Sequence, residues 1–194
     1  METPPNAPET GPDDFLADLT RPGFAAAAYW CSMLLYSGVL ILLWAERGPN
    51  NPFYALMLAV WTFFLTPGVA IPVMRRVPQR WHHVPAGERT LHRILGVDAF
   101  GRMLAWSGYN RRFVHPNWRF TINRAGLPLR AQAARGGAAA HGACFLIHLA
   151  LTVLALVAGY RWGALWLLVP GVVIHFYPVM LQRAIILRLQ PLMA

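Results

Sequence analysis

The chain contains no lysine; all seventeen of its basic residues are arginine. Acidic residues are scarce as well, eight in 194. Charged residues make up 13 % against 56 % hydrophobic ones, too few to cover a water-soluble globule of this length. The missing lysine, beside abundant Ala, Gly and Arg, reflects compositional bias rather than function. Only two cysteines occur, Cys31 and Cys144, both inside apolar runs and without CxxC spacing, so they read as packing residues. No HxxxH or HxxHH pair is present, and Glu88 and Asp98 are the sole carboxylates between residues 75 and 137. A metal site needs more donors than that, and no metal is expected. The net charge of +9 comes with no recognisable binding motif for nucleic acid, so no nucleic-acid partner is expected.

Four apolar segments dominate what is present: about 24–45, 52–74, 138–158 and 162–181. Each has the roughly twenty residues that a helix needs to cross a bilayer. Four crossings put both termini and the central connection on one side. That side collects fifteen of the seventeen arginines, leaving Arg47 and Arg161 on the other. Basic residues stay cytoplasmic during insertion. The expected protein is a multi-pass protein of the cell (inner) membrane with its N- and C-termini in the cytoplasm. Membrane lipids are its expected partners, their anionic headgroups held by the arginines.

Residues 1–23 read as a flexible cytoplasmic arm, and 24–74 as a first transmembrane hairpin closed by Glu46–Pro52. The arm lacks the basic start and cleavage site of a signal peptide. Thr66-Pro67-Gly68 and Pro72 predict a kink in the second span. Residues 75–137 form a basic cytoplasmic or interfacial segment, and 138–194 a second hairpin with a short tail. Within the basic segment, 88–106 combine a broad apolar face with basic flanks, as a helix in the headgroup plane does. Residues 107–128 are irregular and polar. Trp44, Trp61, Trp81, Trp162 and Trp166 suit interfacial belts. The expected fold is all-α, four transmembrane helices with cytoplasmic interfacial helices between the second and third.

Ionisable groups in hydrocarbon are costly and mark functional sites. His141 and His148 lie seven apart on one helical face, and His175 comes back at the depth of His148 in the next span. Singly, each reads more often as a packing histidine; three on facing sides of one hairpin indicate a polar cavity. Acyl transfer needs little more than a histidine base and donors for an oxyanion. His141 has the type and depth for the base. Asn110, Asn117, Gln182 and Arg183 are candidate donors, and the arginine surplus suits the phosphates of an acyl-CoA or an anionic lipid.

The run His175-Phe176-Tyr177-Pro178-Val179-Met180-Leu181-Gln182-Arg183, followed by Arg188-Leu189, resembles the C-terminal signature of the glycosyl-4,4'-diaponeurosporenoate acyltransferases. Glu88, Leu95-Gly96-Val97 and Phe100 resemble that family's Glu-led segment, and His141 falls where it has a histidine at the start of a span. The likeness covers about 88–106 and 135–190. Three positions depart from the family pattern: Ala138 replaces a glutamate, His175 an asparagine and Ile186 an arginine. The resemblance implies a membrane enzyme that attaches a fatty acyl group to the sugar of a glycosylated carotenoid.

The expected function is therefore acyl transfer to a hydroxyl of a lipid-like acceptor, a hydrophobic small molecule or glycolipid. No cofactor is expected beyond an acyl-CoA or other acyl donor as co-substrate. His141 is the expected base, with Glu88 orienting it or assisting proton transfer. His148, His175, Gln182 and Asn110 are expected to line the substrate cavity, and Arg183 and Arg188 to hold donor or headgroup. The alternative is a non-catalytic structural or lipid- and pigment-binding subunit of a larger membrane protein complex, with small-residue faces such as Gly136–Ala140 against partner helices. A transporter ranks third, since no repeat or charged pore residue suggests one.

Overall fold

The computed structural model describes residues 23–109 and 126–193. Helix α1 (Phe24–Arg47) and helix α2 (Pro52–Arg76) form one hairpin. Three short helices follow: α3 (Gln79–His82), α4 (Glu88–Ile94) and α5 (Val97–Trp106). A second hairpin pairs α6 (Leu127–Val157) with a rod made of α7 (Arg161–Pro170), a π-helical stretch (Gly171–Phe176) and α8 (Tyr177–Met193). No strand occurs among the described residues. Four helical stretches are long and apolar enough to cross a membrane: Ala26–Arg47, Pro52–Arg76, Leu127–Val157 and Arg161–Met193. The fold is all-α, as the sequence predicts.

Local chemistry fixes the turns that close the two hairpins. Gly48 ends α1 at φ +67°, a backbone region that glycine reaches without steric cost. Pro52 opens α2, and the Asn51 side chain accepts the Phe53 N–H at 3.0 Å, a cap for a helix that begins on proline. Asn50 Oδ1 accepts the Gly163 N–H at 2.8 Å, tying the first hairpin to the second. A Cβ on Gly163 would stand 2.7 Å from the Pro49 carbonyl carbon, so only glycine allows that approach.

Beneath this turn, Leu40, Tyr54, Ala55, Leu58, Ala155, Ala164 and Leu167 form an apolar core. A polar layer of Thr62, His148, Thr152 and His175 comes next, all buried. At the far end, Val84 packs with Ala134 and Ile186, and Val97 with Met180 and Ala184. There Gln190 accepts the Val84 N–H at 2.7 Å and donates to the Val84 carbonyl at 3.1 Å, pinning the loop before α4 to α8. Helix α1 is peripheral: 11 % of its apolar window is buried, against 33 % for α2.

Several boundaries differ from those read in the sequence. Helix α6 begins at Leu127 rather than 138, and the last rod continues to Met193 rather than 181. At about 1.5 Å per residue both reach well beyond the ~30 Å of a hydrocarbon core. Arg130, Arg135, Gly136 and Gly137 lower the hydropathy of 127–137 without ending the helix, and Pro128 sits in the first turn, where a missing N–H costs nothing. The expected single helix over 88–106 is broken at Gly96, φ +65°, into α4 and α5. Helix α2 stays helical through Pro67 and Pro72. Trp61 lies mid-helix, not at an end, and donates to the Met33 carbonyl at 3.2 Å.

Because Gly163 meets backbone while Gly87 faces open space, alanine at the two sites should behave differently. Gly163→Ala should cost about 1–3 kcal/mol by overpacking and lower the melting temperature in detergent by several degrees. Gly87→Ala should leave it unchanged or slightly raised.

Candidate functional site

The three span histidines meet in the polar layer because the fourth rod leaves α-helical geometry beside them. Pro170 has no N–H to continue the ladder, and the next six residues take π-helical spacing, with the Tyr177 N–H bonded to the Val172 carbonyl. Such widened turns recur at functional sites. Gly171 lets α6 come close, since a Cβ there would stand 2.6 Å from the His148 Cβ. Pro170 and Gly171 together bring His148 and His175 to a ring separation of 5.4 Å.

A chain of hydrogen bonds runs through them and through Thr62 of α2. His148 Nδ1 lies 2.9 Å from the Leu167 carbonyl oxygen. A carbonyl can only accept, so His148 donates from Nδ1, and in the neutral ring its Nε2 is then a bare acceptor. Thr62 Oγ1 lies 3.2 Å from that Nε2 and 2.8 Å from His175 Nε2. The hydroxyl has one proton. It also approaches the Leu58 and Ala59 carbonyls at 3.0 and 3.1 Å, but these are served by the ladder of α2 itself. Donation to His148 satisfies a lone pair that is otherwise unpartnered. His175 then donates from Nε2 to Thr62, which leaves its Nδ1 bare. His141 Nδ1, 3.2 Å away, supplies the proton for that last bond.

With Thr62 donating to His148, the direction of each remaining bond follows from the Leu167 carbonyl, the tautomers being assigned from the network. At the end of the chain stands His141, whose Nε2 carries a lone pair with no hydrogen-bond partner among the described residues. Thr62, His148 and His175 are each 0 % exposed, whereas His141 is half-buried. The accessible end is thus the basic end. Phe145 packs on Phe176 with ring centroids 5.4 Å apart, Phe176 on Tyr177 at 6.2 Å, and Tyr177 on Phe100 at 5.0 Å. These half-buried rings make a continuous aromatic wall from α6 to α5 beside His141.

The other sequence candidates divide. The Gln182 side chain packs on Gly137, one turn from His141, within 3.2 Å of where a Cβ would sit. Glu88 is not brought to His141. Its carboxylate takes both nitrogens of the Arg183 fork, Nε at 2.8 Å, and Arg183 also donates to the Trp81 carbonyl at 3.1 Å. The partner that orients the His141 ring is His175. Arg188 pairs with Asp98 at 2.7 Å on the surface, both side chains over 60 % exposed at 68 % and 64 %, a pair worth little. Asn110 and Asn117 lie outside the described residues. Thr62 was not singled out from sequence; its only signal was a hydroxyl pair, Thr62 and Thr66, four apart in an apolar span.

A family model for glycosyl-4,4'-diaponeurosporenoate acyltransferase (CrtO) matches residues 75–194, well over half the chain. The protein belongs to that family. The match takes in α3 to α8, and hence His141, His148 and His175, but leaves Thr62 of α2 outside it. No curated protein and no solved structure matches the chain. In this acyltransferase-family member, position 138 is an alanine that offers His141 no carboxylate, and the ring of His141 is held by His175.

In α4, His92 lies 3.8 Å from the Glu88 carboxylate, and its Nε2 is buried without a hydrogen bond among the described residues. Burial holds its pKa below the ordinary 6.5, an effect that Arg183 and Arg188 reinforce and that Glu88 and Asp98 oppose. The unfolded chain binds that proton more readily, so folding is favoured above about pH 6.5 and the advantage is lost as pH falls. Comparing melting temperatures from pH 8 to 5, wild type should lose more stability on acidification than His92→Gln. Parallel curves would contradict the assignment.

Proposed function

We propose that this chain transfers a fatty acyl group from an activated acyl donor to a sugar hydroxyl of a glycosylated carotenoid, with His141 as general base. The observation that carries the proposal is the hydrogen-bond chain that ends in the His141 lone pair, in a member of an acyltransferase family. His141 Nε2 takes the proton of the acceptor hydroxyl as its oxygen attacks the donor carbonyl. The tetrahedral oxyanion then collapses, the bond to the donor's leaving group breaks, and His141 returns the proton to that group. One ester forms as one thioester or ester is cleaved. The balance needs no oxidant or reductant.

The chain supports the charged intermediate. When Nε2 is protonated, each downstream donor, from His141 Nδ1 to His148 Nδ1, polarises toward its acceptor and the charge is spread into the Leu167 carbonyl. Gln182, one turn from His141, is the proposed oxyanion donor, and general-base plus oxyanion effects of this kind are worth about 10²–10⁴ each. The aromatic wall of Phe100, Phe145, Phe176 and Tyr177 suits the sugar and polyene of the acceptor. Glu88 acts as a positioning residue for Arg183.

The enzyme sits in this reading in the inner membrane with both termini cytoplasmic, the side on which arginine collects. Ile94 and Trp106, 76 % and 88 % exposed, fit α4 and α5 lying at headgroup level.

Mass spectrometry of lipids and pigments from cells with the wild-type chain, without it, and with His141→Ala or Thr62→Val tests the proposal. Deletion and His141→Ala should each remove an acylated pigment and accumulate its unacylated parent. Thr62→Val, which keeps shape and breaks the chain, should reduce the product by about tenfold or more. Identical profiles across all strains, with the protein present in the membrane, would overturn the proposal in favour of a structural subunit.

A further inference from the structure

A partly open cleft of mixed polar and apolar lining lies at the inner ends of α2 and α6, apart from the histidine chain. It has a volume of about 470 Å³ and is lined by Arg75, Gln79, His82, Gln132 and Arg135 with a floor of apolar side chains. That size falls in the ~300–1,000 Å³ range of small-molecule sites, larger than one inorganic ion requires. No side-chain carboxylate lines it among the described residues. Arg135 Nε is buried and has no hydrogen-bond partner among the described residues. A buried, unanswered guanidinium donor is costly, and the two described carboxylates near this end, Glu88 and Asp98, are committed to Arg183 and Arg188. Two arginines from different helices, with amide and imidazole donors between them, make a forked donor set that suits phosphate oxygens.

The place of the cavity says which phosphate. Arg135 precedes His141 by six residues on one helix, about 9 Å along the axis. The intervening turn carries Gly136 and Gly137, whose missing side chains keep the helix surface low beside Met74 and Gln182. We infer that the Arg75–Arg135 cavity binds the phosphate of the acyl donor and so sets the donor's acyl carbonyl at His141. The donor is a phosphate-bearing carrier, either a phosphopantetheine-type thioester or a phospholipid. The assignment of the ligand as donor rests on the acyl-transfer proposal; the phosphate site itself does not.

The test uses the full chain in phosphatidylcholine nanodiscs, with coenzyme A and phosphate-free pantetheine as soluble probes. Wild type should bind coenzyme A and not pantetheine, and Arg75→Gln and Arg135→Gln should each weaken binding about tenfold or more. Arg135→Lys, which keeps charge and loses the fork, should retain part of it, and unchanged melting temperatures show that the variants are folded. If coenzyme A does not bind, native mass spectrometry of nanodiscs containing phosphatidylglycerol reads the other source. Anionic lipid retained by wild type and lost from the arginine variants would assign the phosphate to a phospholipid. Neither probe distinguishing wild type from the variants would overturn the inference. His141→Ala should bind the phosphate probe as wild type does, so loss of turnover without loss of binding separates this site from the catalytic assignment.

Discussion

The bond from His148 Nδ1 to the Leu167 carbonyl is the constraint on which the rest of the site depends. A backbone carbonyl has no alternative role, so it fixes the His148 tautomer, and with Thr62 donating to the bare Nε2 the order continues through His175 to His141. Much of the fold can be understood as holding this bond in place. Pro170 interrupts the helical ladder, Gly171 admits α6, and the clasp of Asn50 on Gly163 holds the two hairpins in register above. The apolar core over the polar layer keeps water from offering the imidazoles other partners.

The departures from the family pattern make sense in these terms. A histidine that loses a carboxylate partner at position 138 also loses what would orient it. Here His175 takes that place, accepting the hydrogen bond of His141 and passing the chain to Thr62. Glu88, the remaining carboxylate nearby, is drawn to Arg183 because a bidentate guanidinium pair outcompetes a neutral imidazole. The polar machinery thus separates into two zones. An uncharged imidazole and hydroxyl chain lies within the helices, and an arginine-rich rim of ion pairs and open cationic donors lies at their ends.

The spans and the all-helical class were legible from the sequence because apolar length is a strong, local signal. A broadly similar depth for His148 and His175 was legible from the hairpin; their contact was not, since His148 stands nine residues before the end of α6 and His175 fourteen after the start of α7. The helix extension over 127–137 was not, since hydropathy reports the membrane and not the helix. The break at Gly96 was hidden by an apolar pattern that runs through it. Thr62 escaped because a hydroxyl in a helix ordinarily bonds its own backbone; its reach to two histidines depends on a π-helical turn more than a hundred residues later, which no local pattern announces. Glu88 was read toward His141 for want of any sequence signal that Arg183 lies nearer.

The directed chain is tested most directly by ¹⁵N solid-state NMR of the histidine-labelled chain in bilayers at neutral pH, which reads which ring nitrogen carries the proton. The account predicts N–H on Nδ1 of His148 and His141 and on Nε2 of His175, with His141 Nε2 bare. A proton on His148 Nε2, or a bare His141 Nδ1, would contradict it.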